Sequence, residues 1–135
     1  MNWFQPALDR LASLPQDHDR RLQTFFSRDH PITLTRAPGR LDVFGGIADY
    51  SGARVLELPL ACSTSALVQP QTARQCDIAT RRGESWELFS IDLPLAEPER
   101  LASWFREHEA ERWASYVVGV AQAVLARSRA TGGLR

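Results

Sequence analysis

A glycine- and proline-rich segment, residues 37–52, constrains this chain more than any other stretch. Five of its sixteen residues are Gly or Pro, a density that marks a loop with special backbone geometry. The same segment carries Arg40, Asp42, Asp49 and Tyr50. Because glycine lets a backbone approach a ligand closely, polar groups beside it can hold that ligand. The sequence therefore predicts a binding loop in the first half of the chain.

Composition narrows the class of protein. The 135 residues suit one domain, and 44% of them are hydrophobic, enough for a packed core. Basic and acidic residues number sixteen each, and every basic residue is arginine. Such balanced charge argues against a partner with a phosphate backbone, so we expect no nucleic-acid partner. The N-terminus carries charge within ten residues and no long apolar run. We therefore expect no signal peptide, no membrane span and a cytoplasmic location.

The first part of the chain predicts helices and then strands. Residues 3–28 place apolar side chains at helical spacing, and Pro15 should divide them into a broken helix or a helical pair. From Ile32 the apolar residues alternate, and Pro38-Gly39 interrupts them. That pattern predicts two short strands on either side of a turn.

The middle of the chain predicts further strands. Residues 55–60 form a compact apolar run, and residues 63–69 and 74–82 alternate weakly, as in a hairpin. A turn at residues 82–84 should lead into a strand over residues 86–91.

The last part predicts two helices. Pro98 suits the first turn of a helix that carries Leu101, Trp104, Phe105 and His108 at helical spacing, and Gly132-Gly133 should stop the second helix. The predicted buried face of that second helix comprises Trp113, Tyr116, Val117, Val120, Ala121, Val124 and Leu125. A run of strands followed by helices favours α+β architecture.

The loop segment resembles a known family signature, that of the galactokinase branch of the GHMP kinases. That signature reads Gly-Arg-x-Asn-apolar-apolar-Gly-Glu-His-x-Asp-Tyr. Five residues of this chain match it in register: Gly39, Arg40, Gly45, Asp49 and Tyr50.

Three positions of the segment depart from the signature. Asp42 stands for Asn, Gly46 for Glu and Ile47 for His. With these residues the segment is more similar to the arabinokinase variant of the family than to galactokinase itself.

The resemblance implies a fold and a domain organisation. It implies an incomplete N-terminal lobe of the GHMP kinase fold, which is ribosomal protein S5 domain 2-like. Residues 1–30 would be an N-terminal helical segment, and residues 31–135 part of the sugar-binding domain. In the family, the phosphate loop Gly-Leu-Ser-Ser-Ser and the catalytic aspartate follow later in the sequence. We therefore expect residues 1–135 by themselves to be inactive.

The implied activity is ATP-dependent phosphorylation of the anomeric hydroxyl of L-arabinose or D-galactose. ATP and Mg²⁺ are the implied cofactors, with the ligands of Mg²⁺ expected outside this chain, and no membrane partner is expected. The matching position makes Arg40 a catalytic and substrate-binding residue beside the reacting hydroxyl, where its guanidinium suits phosphoryl oxygens. The alternative is that Arg40 pairs with Asp42 or Asp49 and only braces the turn.

The substrate-binding residues implied by the resemblance follow Arg40 in the loop. Asp49 would accept hydrogen bonds from ring hydroxyls, or else it caps the following turn. Tyr50 either lines the pocket or packs. In galactokinases the residues at the positions of Gly46 and Ile47 contact polar groups of a hexose. Gly-Ile removes those partners, and Ile47 would fill the space of the exocyclic CH₂OH, which a pentose lacks.

Trp113 is the candidate nucleotide-binding residue. Its segment, Trp-Ala-Ser-Tyr-Val-Val-Gly-Val, resembles a family segment in which tryptophan helps form the adenine pocket. An aromatic residue on a helix also suits a core position, so both interpretations stay open. The three histidines, His18, His30 and His108, lack metal-ligand spacing, and we predict no metal site.

Two other functions remain open at this stage. The chain would be a non-catalytic galactokinase-like sugar-binding or regulatory module, or an inactive truncated remnant. Finding the phosphate loop and the catalytic aspartate in the DNA downstream of Arg135 would favour the enzyme over both alternatives.

Overall fold

The computed structural model describes residues 3–46, 48–93, 98–128 and 131–135. Within these ranges the chain forms four α-helices and six strands, and the strands lie in two separate sheets. The expected α+β class agrees with this mixture of helices and strands. The chain divides into two compact units, the first made of Met1–Ser13 and Thr33–Leu67, the second of Leu14–Ile32 and Val68–Arg135.

The first unit contains helix α1 (Gln5–Ser13) and a two-stranded sheet of β1 (Thr33–Phe44) and β2 (Leu56–Val68). The hydroxyl of Thr35 donates to the carbonyl of Ala66, and Gly39 contacts Cys62. Residue 35 thus lies opposite residue 66 and residue 39 opposite residue 62. Because the numbers rise on β1 while they fall on β2, the two strands run antiparallel.

The predicted turn at Pro38-Gly39 is wrong, because β1 runs through both residues without a break. The fixed φ of proline lies within the range of extended chain, and an edge strand tolerates its missing N–H. Gly39 serves close approach between strands: a Cβ added there would lie 2.9 Å from Sγ of Cys62. Glycine therefore marks tight strand pairing at this position.

The two sides of this sheet differ in polarity. Alternate residues of each strand point to the same side of a sheet. Leu41 and Val43 on β1, with Leu56 and Leu58 on β2, are apolar and each more than half exposed. Arg40 and its neighbours at alternate positions, Asp42 and Glu57, are charged. The charged side is the one that carries the candidate site.

The second unit contains a four-stranded sheet in the order β3-β6-β4-β5. Its strands are β3 (Pro70–Gln71), β4 (Gln75–Arg82), β5 (Ser85–Asp92) and β6 (Gly133–Leu134). The pairing of β4 with β5 confirms the predicted turn at residues 82–84, where Gly83 has a φ of 59°. The predicted hairpin between residues 63–69 and 74–82 is wrong, because β2 pairs with β1 and β6 lies beside β4.

The helices of the second unit are α2 (Arg20–Gln23), α3 (Pro98–Glu107) and α4 (Ser115–Ser128), with a 3₁₀ segment, Glu109–Ala114, before α4. The predicted break near Pro15 is confirmed, because α1 ends at Ser13 and α2 begins five residues after Pro15. Asp19 caps α2 by accepting a hydrogen bond from the N–H of Arg21 at 2.9 Å. The Arg21 side chain bonds the same carboxylate and lowers the pKa of Asp19.

The core of the second unit lies between α3, α4 and the β4–β5 hairpin. Its buried residues are Cys76, Ile78, Ile91, Leu93, Leu101, Phe105, Ala114, Val118 and Ala121. The predicted face of α3 is confirmed for Leu101 and Phe105, which are buried, and in part for Trp104, whereas His108 is exposed and follows the end of α3. Burial raises the pKa of the Cys76 thiol to about 11, so this thiol stays protonated at neutral pH, whereas Cys62 is exposed.

The predicted buried face of the last helix is confirmed for Ala121, which is buried, and in part for Trp113 and Leu125, which pack against the core. The prediction is wrong for the other four residues. Tyr116 is 87% exposed and Val120 65% exposed, whereas Val118 is fully buried. Apolar residues occur on nearly every side of α4, so periodicity could not select the buried one. The structure buries Val118 and Ala121 on α4, together with Ala114 at the end of the preceding 3₁₀ segment.

Gly132 and Gly133 were expected to cap the last helix, but α4 ends at Ser128 and Gly133 lies in β6. A Cβ on Gly133 would overlap the carbonyl oxygen of Gln75, so only glycine fits between β3 and β4. None of the helices in the described ranges is long and apolar enough to cross a membrane.

Candidate functional site

The candidate loop joins the end of β1 to the start of β2. Gly45, with a φ of 81°, follows the last residue of β1, and a Cβ there would lie 3.3 Å from the carbonyl oxygen of Arg54. A 3₁₀ segment, Ala48–Ser51, comes next, and Gly52 has a φ of 73°. Both glycines therefore adopt the left-handed conformation that other residues rarely take. Residues 45–55 therefore connect β1 to β2. Residues 37–44, which were expected to belong to the loop, lie in β1 instead.

Arg40 lies on the charged side of β1. Its Nη1 is 3.4 Å from Oε1 of Glu57, and its Nε is 3.8 Å from Oδ1 of Asp42. The side chain of Arg40 is nonetheless 65% exposed. Exposed ion pairs of this kind contribute only about 0–1 kcal/mol, so a phosphate group could displace them. The bracing contact with Asp42 and a role toward an anion are therefore compatible.

Glu57 is a neighbour of Arg40 that the sequence analysis missed. It comes from β2, seventeen positions after Arg40, so only the strand pairing brings the two together. A signal was present in the sequence: Glu57 stands alone among apolar residues between Leu56 and Leu58. A single acid in an alternating strand indicates the polar side of a sheet.

Asp42 and Gly46 are in direct contact. A Cβ added to Gly46 would lie 2.6 Å from Oδ2 and 2.9 Å from Cγ and Cβ of Asp42. Real side chains do not approach so closely, so Asp42 occupies the space that a side chain at position 46 would need. The two departures from the galactokinase signature are therefore linked in space.

Three further candidate residues, Ile47, Asp49 and Tyr50, follow Gly46 in the loop. Ile47 lies outside the described residues, and the backbone of Asp49 belongs to the 3₁₀ segment Ala48–Ser51. Tyr50 is 95% exposed, so its side chain does not pack against the residues that the structure describes. Its phenol is accessible to a ligand or partner.

Trp113 lies in the second unit, at the 3₁₀ segment before α4. Its ring is half-buried and meets the ring of Phe89 edge to face, with the centroids 6.1 Å apart. The core interpretation thus has direct geometric support. A role in nucleotide binding remains a prediction, since one part of the ring is exposed.

Metal ligands and histidines add little to the site. In the ranges that the structure describes, His, Cys, Asp and Glu form no group of three placed to hold a metal ion. The ring of His108 stacks on that of Trp104 with the centroids 3.9 Å apart, and its Nδ1 lies 2.8 Å from the carbonyl oxygen of Trp104. We assign His108 a packing role.

The hairpin presents an exposed guanidinium, nearby carboxylates and a glycine-bounded loop, a combination suited to small polar ligands with hydroxyl or phosphate groups. Comparison with known proteins indicates which class of protein carries such a site. The chain is 34% identical to the L-arabinokinase of Arabidopsis thaliana over an alignment of 156 positions, gaps included. This similarity supports a relationship to sugar kinases and to carbohydrate metabolism. No model of a protein family matches the chain, and no solved structure matches it.

The match extends over most of this chain but only a small part of the relative. It covers 83% of this chain but 15% of the length of the relative. The alignment has 156 positions, more than the 135 residues of this chain, so it contains gaps.

Proposed function

We propose that this chain forms the N-terminal, sugar-binding part of an ATP-dependent sugar-1-kinase that prefers L-arabinose to D-galactose. The observation that carries the proposal is the 34% identity to L-arabinokinase over 83% of this chain. The exposed guanidinium of Arg40, on β1 beside the loop, supports it. The loop variant Gly-Gly-Ile-Ala-Asp-Tyr also supports it.

In the proposed reaction the anomeric hydroxyl of the sugar attacks the γ-phosphorus of ATP. A P–O bond forms at the sugar, the bond to the ADP oxygen breaks, and the hydroxyl proton passes to a base outside this chain. Such transfers depend mainly on positioning and on stabilising charge that spreads over the phosphoryl oxygens. Arg40 is the residue of this chain suited to the second task, because its fork of N–H donors matches phosphate.

The sugar is assigned to the loop of the first unit. The carboxylate of Asp49 would accept hydrogen bonds from two neighbouring ring hydroxyls. Gly46 and Ile47 would favour a pentose, because they supply no polar partner for an exocyclic CH₂OH. Rejection of the larger hexose then depends on the apolar volume of Ile47.

The proposal assigns one residue of this chain to the nucleotide and none to the metal ion. Trp113 would offer the exposed part of its ring to adenine while the rest packs on Phe89. Mg²⁺ would neutralise phosphate charge when bound, and we assign none of its ligands to this chain. We further propose a cytoplasmic location.

The proposal is tested with the full-length protein that carries this chain. Purified protein is incubated with ATP, Mg²⁺ and one sugar at a time, and the product is identified by ³¹P NMR. We expect sugar-dependent ADP release and a sugar 1-phosphate as the product from L-arabinose. Saturable binding of L-arabinose without any turnover would contradict the enzyme and favour a sugar-sensing module.

A further inference from the structure

The side chain of Asp42, on β1 beside the loop, has no role in the proposed function. It lies on β1 two residues after Arg40, on the charged side of the sheet, and it is 45% exposed. Its Oδ1 is turned toward Nε of Arg40 at 3.8 Å, too far for a hydrogen bond. Its Oδ2 lies over the backbone of Gly46.

The contact with Gly46 involves more than the mobile end of the side chain. An added Cβ at position 46 would be 2.9 Å from Cβ of Asp42, and a rotation about χ1 does not move that atom. Any side chain at position 46 thus requires the backbone of the loop to shift. The present loop geometry needs glycine at 46 as long as residue 42 has a side chain.

We propose that Asp42 is a substrate-binding residue of the sugar site and that Gly46 acts through it. Glycine at position 46 leaves room for the Asp42 carboxylate at the start of the loop, beside Arg40. There the carboxylate accepts a hydrogen bond from a hydroxyl of the sugar. This inference rests on the proposed function, because it concerns the same sugar site.

The chemistry of the position supports a ligand role over a bracing role. An aspartate that only braced Arg40 would form a short, charge-assisted hydrogen bond at about 2.7–2.9 Å. Here the nearest approach to Arg40 is 3.8 Å, and Arg40 lies closer to Glu57. The carboxylate thus keeps acceptor capacity and stays open to solvent, where a hydroxyl can reach it.

A first experiment separates binding from packing by using Asp42→Asn in the full-length protein. Asparagine has nearly the same shape, so the contact with Gly46 is kept while the charge is lost. We expect the KM for L-arabinose to rise about tenfold or more, with the KM for ATP and the Tm unchanged. Asp92→Asn, on the exposed end of β5 in the second unit, is the matched control. Unchanged sugar kinetics in Asp42→Asn would make Asp42 a packing residue and overturn the inference.

A second experiment tests whether Gly46 acts through Asp42. Gly46→Ala is made in the wild-type protein and in an Asp42→Gly background, where all three close contacts are gone. We expect Gly46→Ala to raise the sugar KM about tenfold alone and less than twofold in the Asp42→Gly background. Equal effects in both backgrounds would overturn the inference. Gly119→Ala is the control, because a Cβ there meets open space.

The failure of this inference differs from a failure of the proposed function. If the wild-type protein phosphorylates none of the sugars, the proposed function and the sugar role of Asp42 both fail. If the wild type is active but the two experiments give the contrary results, only the role of Asp42 fails.

Discussion

Nη1 of Arg40 lies 3.4 Å from Oε1 of Glu57, across the two strands of the first unit's sheet. A closely similar pair exists in the second unit, where Nε of Arg82 lies 3.6 Å from Oε1 of Glu87. The arginine side chains are 65% and 60% exposed, respectively. The two pairs have similar distances and exposure, but different guanidinium nitrogens face the carboxylates, and of the two arginines only Arg40 lies beside the candidate loop.

This match allows a prediction about Arg40 with an internal control. Arg40→Ala and Arg82→Ala should each change the free energy of unfolding by only about 0.2–1 kcal/mol, because both pairs are exposed. Arg40→Ala should lower the kcat for sugar phosphorylation in the full-length protein by about a hundredfold, the typical loss of one charge-stabilising donor. Steady-state kinetics and thermal unfolding check both parts. Equal kcat values for the two variants would show that Arg40 only braces the hairpin.

A second prediction concerns Asp49. Asp49→Ala should raise the KM for L-arabinose ten- to a hundredfold, because a lost hydrogen bond to a charged group costs roughly 1.5–3 kcal/mol. The KM for ATP should stay within about twofold, since the proposal assigns no nucleotide contact to this residue. Initial rates measured at varied sugar and then varied ATP separate the two constants. Intact sugar kinetics would identify Asp49 as a turn residue.

Much of the local structure was predictable from the sequence. The break near Pro15, the β4–β5 hairpin at Gly83 and the start of α3 at Pro98 all depend on residues next to each other in the chain. The errors involve partners far apart. Nothing near Pro38 indicates that Cys62 will pack against Gly39 and keep β1 continuous, and nothing near Gly133 indicates a strand beside β4.

The candidate site shows the same division. Arg40 and Gly45 were identified from the sequence because both belong to a local motif, whereas the left-handed conformation of Gly45 was not predicted. Glu57 was missed, since its distance from Arg40 depends on the pairing of β1 with β2. The contact of Asp42 with Gly46 was also missed, because each was interpreted as a separate departure from a signature.

A third prediction distinguishes the two interpretations of Trp113. Trp104 serves as the matched control, since its ring contacts Phe89 at 5.7 Å, close to the 6.1 Å of Trp113. Trp113→Leu and Trp104→Leu should both destabilise the second unit by losing aromatic packing. We expect Trp113→Leu alone to raise the KM for ATP, by about tenfold, because base–aromatic stacking is worth roughly 1–3 kcal/mol. If both variants leave the KM for ATP unchanged, Trp113 is a core residue only.

A fourth prediction concerns stability and the buried side chain of Gln69. This side chain is fully buried, accepts a hydrogen bond from the N–H of Ser27, and donates to the carbonyl oxygens of Ser27 and His30. Gln69→Ala leaves these groups unpaired, so the free energy of unfolding should fall by about 2–4 kcal/mol. Denaturant unfolding measures this change. Gln23→Ala is the control, because its exposed amide donates to one carbonyl and should lose less than about 0.5 kcal/mol.

A change in Gln69→Ala no larger than in Gln23→Ala would contradict the hydrogen-bonding role. The backbone of Gln69 also exchanges two hydrogen bonds with Arg135, at 2.7 and 2.9 Å. These backbone bonds remain in the variant, so the measurement reports on the side chain alone.

The choice of sugar tests the central claim most directly. L-Arabinose and D-galactose share the ring hydroxyl arrangement from C2 to C4 and differ in the CH₂OH that galactose carries at C5. The decisive measurement is the ratio of kcat/KM values for the two sugars, taken with the full-length protein at saturating ATP. The account predicts a ratio of about ten or more in favour of L-arabinose, the range that one extra group in an apolar pocket provides. Equal values, a preference for D-galactose, or no phosphorylation of either sugar would contradict it.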